Sequence, residues 1–290
     1  MSSGAPRAGL RLTDLLARLH VFTGPLPPTP TQQTPLRTAG SLLDDALAGL
    51  SVASRASILD PVGLMASGPS VGRPRPVLLP YLAVVGASPP AASSSAPGPA
   101  ARQVDETTCG AAVLAMLAMA GDPRLASVIA RDPGPRFAAL QRRVHRASAR
   151  QAGVPWPRAL GTAPWAAAAL ARFGDVRYTH RVVGGPGARA VLRAAVEAAY
   201  RGVPVPLYTG GDLRGGWQAA VPRHVVLLAA GADDEVRGVV RVYEPSSATV
   251  HAVPARVLLA PNPDGRDLAA RSAALGGWPH VVWAVLPVGH

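Results

Sequence analysis

The run from Ala111 to Ala120 constrains this chain more than any other stretch. It is apolar and uncharged throughout, it is closed by Gly121, and Cys109, the single cysteine of the chain, stands just before it. An uncharged run of that length belongs in an interior, and its length suits three turns of buried helix. Cys109 then falls in the first turn, where unpaired N–H groups and the helix dipole favour a thiolate. A lone cysteine is ordinarily a small buried hydrophobe. His224 and Glu244, far downstream, set this one apart.

The composition excludes several classes. With 290 residues the chain can bury a sizeable core. One cysteine rules out an internal disulfide framework and any multi-thiolate zinc or iron–sulfur site. The histidines are scattered without a His-Glu-x-x-His spacing, so no metal or other cofactor is assigned. All 29 basic residues are arginines against 17 acids, a net charge of +12 that favours association with polyanions. The one arginine cluster, Arg142, Arg143, Arg146 and Arg150, has no interleaved aromatics to stack bases, so it reads as a solvated face and specific nucleic-acid binding is not expected. Near the start, apolar residues are interrupted by Thr13, Asp14, Arg18 and His20, unlike a signal peptide. Val77 to Ala87 is too short to span a bilayer. The expectation is a soluble protein, cytoplasmic by default, without a membrane span and with its oligomeric state open.

Along the chain, residues 1–100 read as an irregular extension. A short amphipathic helix is expected to start near Thr13, using Leu10, Leu12, Leu15, Leu16 and Leu19. Pro25, Pro27, Pro28 and Pro30 end it. Ser41-Leu42-Leu43-Asp44 fits a capping box for a weak helix to Leu50. Pro76 to Val85 fits a short strand, and Ser88 to Ala101 has the composition of a linker. Residues 101–290 form the second unit. Asp122-Pro123 has the signature of an N-cap followed by proline, opening a helix with Leu125, Val128 and Ile129. Phe137, Leu140, Val144 and Ala147 mark another helix, and Pro164 to Leu170 a third. Val176, Tyr178, His180 and Val182 alternate as a strand, with His180 a structural or edge histidine. Arg189 to Tyr200 is helical. Val203 to Tyr208 is a strand whose Pro204 and Pro206 argue for an edge or irregular position. Strands follow at Val225 to Ala230, Val236 to Tyr243, Ala248 to Val253 and Pro279 to Pro287. Helices first and then an antiparallel sheet is an α+β order.

Cysteine catalysis needs a thiolate, an imidazole to relay its proton, a polar group to orient the imidazole and a donor for the developing oxyanion. Cys109 at a helix start, His224 at a strand start and Glu244 at the end of the following strand supply the first three. A hairpin sets the first residue of one strand beside the last of the next, so His224 and Glu244 are expected to meet. Asp105 and Glu106 oppose a thiolate unless they point outward. Asp212, Trp217 and Arg223, before the histidine, are candidates for lining a substrate cleft.

The motifs resemble the papain-like cysteine peptidase superfamily, in the bacterial group related to double-glycine leader peptidases. Cys109-Gly110-Ala111-Ala112 is similar to the segment that opens the nucleophile helix there. Gln103, six residues earlier, stands where that superfamily keeps an oxyanion donor. Gly202-Val203-Pro204-Val205 resembles the strand before the histidine, His224-Val225-Val226-Leu227-Leu228 the histidine strand, and Tyr243-Glu244-Pro245 the segment of the third member. The resemblance covers about residues 100–287. It implies a papain-like fold, an N-terminal helical half with its nucleophile helix packed on a C-terminal antiparallel sheet. It also implies hydrolysis of peptide or isopeptide bonds in a peptide or protein substrate through a thioester acyl-enzyme, with Cys109, His224 and Glu244 as triad and Gln103 as oxyanion donor. The family pattern has aspartate where Glu244 stands, and the transporter segments that accompany leader peptidases are not in this sequence. Acyl transfer or glutamine deamidation would use the same triad, and a catalytically silent papain-like binding domain would use none of it.

Overall fold

The computed structural model describes residues 11–30, 47–48, 52–63, 71–81, 98–153, 156, 161–213, 216 and 221–289. Their centre is one antiparallel sheet of seven strands: β1 (Arg75–Pro76), β2 (Arg177–Val182), β3 (Val205–Gly210), β4 (His224–Ala229), β5 (Val239–Glu244), β6 (Thr249–Pro254) and β7 (His280–Val288). Their order across the sheet is β1-β6-β5-β4-β3-β7-β2. Every residue of β3, β4 and β5 is buried. That matches their largely apolar sequences, which suit strands covered on both faces.

Both faces are covered by helices. In chain order these are α1 (Leu12–Arg18), α2 (Val52–Leu59), α3 (Cys109–Gly121), α4 (Pro123–Ala130), α5 (Pro133–Gln151), α6 (Pro164–Leu170), α7 (Ala188–Tyr200), α8 (Ala255–Leu259) and α9 (Gly265–Ala274). The alternation of β4 sorts them. Val225 and Leu227 join a core with Val113, Leu117, Phe137 and Phe173, while Val226 and Leu228 join another with Leu192, Val196, Leu258 and Leu275. The molecule is therefore layered helix, sheet, helix, with α3 to α6 against one face and α7 to α9 against the other. The expected antiparallel sheet is present, and it carries helices on two sides instead of one.

The uncharged run forms α3 as expected, with Met116, Leu117 and Met119 fully buried. Truncating Leu117 to alanine should cost about 3 kcal/mol, since it leaves a cavity inside the first core. Asp122 caps α4, accepting from the Arg124 and Leu125 amides at 2.9 and 3.2 Å, with Pro123 at the first helical position. The four clustered arginines of α5 are exposed.

Several expectations need correction. The strand containing Pro206 is irregular but not an edge: β3 lies between β4 and β7, and its pairing with β7 shifts register between Tyr208 and Thr209. Proline is tolerated because pairing with β7 begins only at Leu207, one residue later, and Pro204 precedes the strand. The edges are β2 and β1; β1 is two residues long and carries Pro76, a short proline-marked edge that resists further pairing. The strand expected over Pro76 to Val85 is reduced to β1 and a bridge from Leu78 to Ala100, and residues beyond 81 lie outside the described ones. The helix expected from Ser41 also falls mostly outside them. Helices α2, α8 and α9 carry no strong sequence pattern and went unforeseen. Within residues 1–100, Leu47, Ile58, Val62, Val77 and Leu79 join the first core. His180 accepts from the Trp283 indole at 3.2 Å, a structural contact. Among the described residues no single helix is long and apolar enough to cross a membrane.

Candidate active site

Helix α3 starts close to the sheet for want of side chains. At Gly110 a Cβ would lie 2.8 Å from the Thr162 Cβ and 3.4 Å from the Val225 Cγ2. That contact sets Cys109, 4 % exposed, at the end of the sheet where β4 begins and β5 ends. The hydroxyl of Thr108, just before the helix, is bound into the preceding loop: it accepts from the Asp105 amide and donates to the Asp105 carbonyl, both at 2.9 Å. No side chain therefore caps α3. Its first N–H groups have no acceptor within the helix, which is what a developing oxyanion requires.

His224 Nε2 and Glu244 Oε1 are 2.7 Å apart, and both residues are buried. They meet diagonally. Strands β4 and β5 pair Leu227 with Tyr243 and Leu228 with Val242. Carried on, that register sets Val226 against Glu244 and His224 against Ser246, so the carboxylate must reach back along the sheet. The extra methylene of glutamate suits that reach. The Glu244 carboxylate also accepts from the Ser246 and Ser247 amides, each at 2.7 Å. Burial would raise its pKa, yet the hydrogen bonds from His224, Ser247 and Ser246 hold it well below the usual carboxylate range.

The imidazole answers the same logic with opposite sign. Burial would lower the His224 pKa, but side-chain hydrogen bonds with Cys109 and Glu244, and the negative charge those groups can carry, raise it to about 9. Since Glu244 holds Nε2, Nδ1 is the ring nitrogen left for the thiol. The ring is also packed from behind: Gly276, at φ +70°, stands where a Cβ would lie 2.4 Å from His224 Cδ2. A side chain there would collide with the imidazole.

Gln103 is near the site by its backbone, its amide donating to the Pro245 carbonyl at 2.9 Å, directly after Glu244. Its side-chain Nε2 donates to the Asp105 carbonyl at 2.9 Å, and its Oε1 is buried without a partner. The loop before the cysteine is held on its other side by Gln141 of α5, fully buried. Gln141 accepts from the Val104 amide and donates to the Arg102 carbonyl, both at 3.0 Å. Tyr243 adds a third tie, its hydroxyl donating to the Ala101 carbonyl. Asp105 and Glu106 are exposed, and the Asp105 carboxylate is engaged by Thr107.

Sequence reading missed Gln141 and Gly276. The first left a signal: Phe137, Gln141, Val144 and Ser148 share a helical face, and a glutamine inside such a stripe is a buried polar group awaiting partners. Gly276 left none, because only the fold brings it to His224. Of the suggested cleft residues, Asp212 lies beside β3 and its charge acts on His280; Arg223 is exposed; Trp217 falls outside the described residues. Among the described residues no cluster of metal-ligating side chains occurs. Comparison with protein-family models, with curated proteins and with solved structures finds no match to this chain.

Proposed function

We propose that the protein is a papain-like cysteine hydrolase that cleaves peptide or isopeptide bonds, with Cys109 as nucleophile, His224 as acid and base, and Glu244 as the group that orients the imidazole. The observation carrying this reading is the buried His224–Glu244 contact at 2.7 Å, on a ring whose pKa Cys109 and Glu244 together raise. The order of Gln103, the Cys109 helix, the His224 strand and the Glu244 turn supports the family assignment.

The chemistry follows from the geometry. His224 takes the proton of the Cys109 thiol. The thiolate attacks the substrate carbonyl, a C–S bond forms, and the carbonyl π electrons move onto oxygen, where the first N–H groups of α3 and the Gln103 side-chain amide are candidate donors. As the oxyanion collapses, the C–N bond breaks and His224 gives its proton to the departing amine. Water then attacks the thioester, losing its proton to His224, and the acid leaves with Cys109 restored. Glu244 keeps the ring in one tautomer and one orientation throughout.

The test is covalent labelling by a thiol-directed peptidyl probe near neutral pH. Wild type should label, Cys109→Ala should not, and His224→Ala should label at least tenfold more slowly. Equal labelling of wild type and His224→Ala overturns the mechanism. The 4 % exposure of Cys109 favours one other reading, a silent papain-like binding domain, which predicts no labelling of the folded wild type at all. Should labelling occur, ammonia release from a glutamine peptide against backbone cleavage, read by mass spectrometry, separates deamidation from hydrolysis.

A further inference from the structure

A cavity of about 210 Å³ opens between the N-terminal end of α7, the segment after α8 and the start of β7. It contains none of Cys109, His224 and Glu244. Its walls are mixed in a particular way. Leu192, Leu258 and Val281 give an aliphatic surface, while Arg11, Arg189, Arg271 and His280 line the same space. Arg11 is neutralised by Asp14 at 2.9 Å. Among the described residues neither Arg189 nor Arg271 has an acidic partner.

Arg271 is the unusual member. It is 4 % exposed; its Nη1 donates to the Ala260 carbonyl at 2.6 Å, and its Nε is buried with no hydrogen-bond partner. A buried guanidinium with an unused donor is costly unless something arrives to accept from it. We infer that this cavity binds a small carboxylate with a short aliphatic body, its oxygens on Arg271 and Arg189 and its hydrocarbon against Leu192, Leu258 and Val281.

Charge and shape select that chemistry. The guanidinium fork matches a carboxylate in two parallel hydrogen bonds. The aliphatic wall disfavours a fully hydrated inorganic anion, which would lose water against it without replacement. The volume is below the roughly 300–1,000 Å³ of pockets that hold drug-sized ligands, so the occupant is small. The local field agrees: burial first, then the charge of Arg11, lowers the Arg271 pKa to about 10. Burial followed by Arg11 and Arg271 lowers that of His280 to about 4, against opposing pulls from Asp212 and Asp14. An arriving anion relieves that excess of positive charge.

The same chemistry has two sources, a free short-chain carboxylic acid or the C-terminal residue of a peptide. The cavity is one strand from the candidate active site, because Thr209 of β3 pairs with His224 on one side and with Val281 on the other. Carboxylate binding there does not depend on the cysteine chemistry.

Isothermal titration of the full chain with isovalerate, with a leucine-terminated tripeptide, with its C-terminal amide and with inorganic phosphate tests the inference. Isovalerate or the free-acid tripeptide should bind saturably, and the amide and phosphate at least tenfold more weakly. Binding by isovalerate alone assigns a free acid, and tighter binding by the tripeptide assigns a peptide terminus. Arg271→Gln should lose the binding. Arg189→Ala, at an exposed position, tests the same point without disturbing the core and should weaken it at least tenfold. No saturable binding by either acid, binding of the amide or phosphate equal to that of the acids, or unchanged affinity in a folded Arg189→Ala protein overturns the inference.

Discussion

Glu244 shows how much a single methylene can matter. Its carboxylate reaches His224 across a diagonal of the sheet while accepting from two backbone amides of the following turn. Glu244→Asp, conservative on paper, should fail to span that diagonal. The expected result is a His224 pKa below about 9 by NMR of the labelled imidazole, and probe labelling slowed by tenfold or more, because a misplacement near 1 Å is costly to oriented chemistry. An unchanged imidazole pKa in that variant would show that the diagonal reach is not needed. Glu244→Gln keeps the length and removes the charge. It should lower the same pKa and destabilise the fold by about 1–3 kcal/mol, read from the urea midpoint. The histidine makes its own prediction. Its folded pKa, about 9, lies above the ordinary value of 6.5, so its protonated form is favoured by folding. That stability is complete below about pH 6.5 and lost as pH rises through 9. The stability gap between wild type and His224→Gln should therefore shrink over that interval, and a gap that stays constant would contradict the assignment.

At the scale of elements, the hairpin of β4 and β5 fixes the relation between His224 and Glu244, and a buried ion pair fixes the hairpin. Asp234, 1 % exposed, accepts from the Gly231 amide at 2.7 Å and from Arg241 Nε at 2.6 Å. Arg241 in turn donates to the Gly63 carbonyl at 2.7 Å, tying the hairpin to the segment after α2. Asp234→Ala leaves a buried guanidinium without its counter-charge and should cost about 3–5 kcal/mol in chemical denaturation. A loss under about 1 kcal/mol would mean that the turn holds its register without the pair. The turn after α9 is a second such device. Gly276→Ala combines a left-handed backbone with a Cβ placed 2.4 Å from the imidazole, so it should displace His224 and depress labelling more than it depresses stability. Equal labelling by wild type and Gly276→Ala would remove that segment from the site.

Across the whole molecule, buried His224 and three half-buried histidines pull stability in opposite directions. His224 favours its charged form, whereas burial lowers the pKa values of His180, His251 and His280, the last to about 4. For those three, stability is complete above about pH 6.5 and falls as pH drops through their folded values; for His224 it falls on the alkaline side. Urea midpoints measured from pH 4 to 9 should pass through a maximum near pH 6.5, and a profile still rising at pH 9 would refute the balance. The same division runs through what the sequence made legible. The uncharged run, the Asp122-Pro123 cap and the continuous apolar strands specified α3, α4 and β4 by local pattern. The meeting of His224 with Glu244 was legible because each stands at the boundary of a strand. Pro204 and Pro206 pointed to an edge or irregular position; β3 is irregular, but only the register shows that it is interior, with Pro206 opposite Leu227 of β4 and pairing to β7 starting one residue later. Helices α2, α8 and α9 were illegible, since short segments of weak periodicity become helical through the surfaces they pack on. By itself, the sequence determined which residues must be buried and where elements begin, since burial pattern and capping are local properties. Tertiary structure alone decided that the sheet would be covered on both faces, that Glu244 would reach His224 along a diagonal, and that Gly276 and Arg271 would stand where they do, because those depend on registers and contacts between segments far apart in the chain.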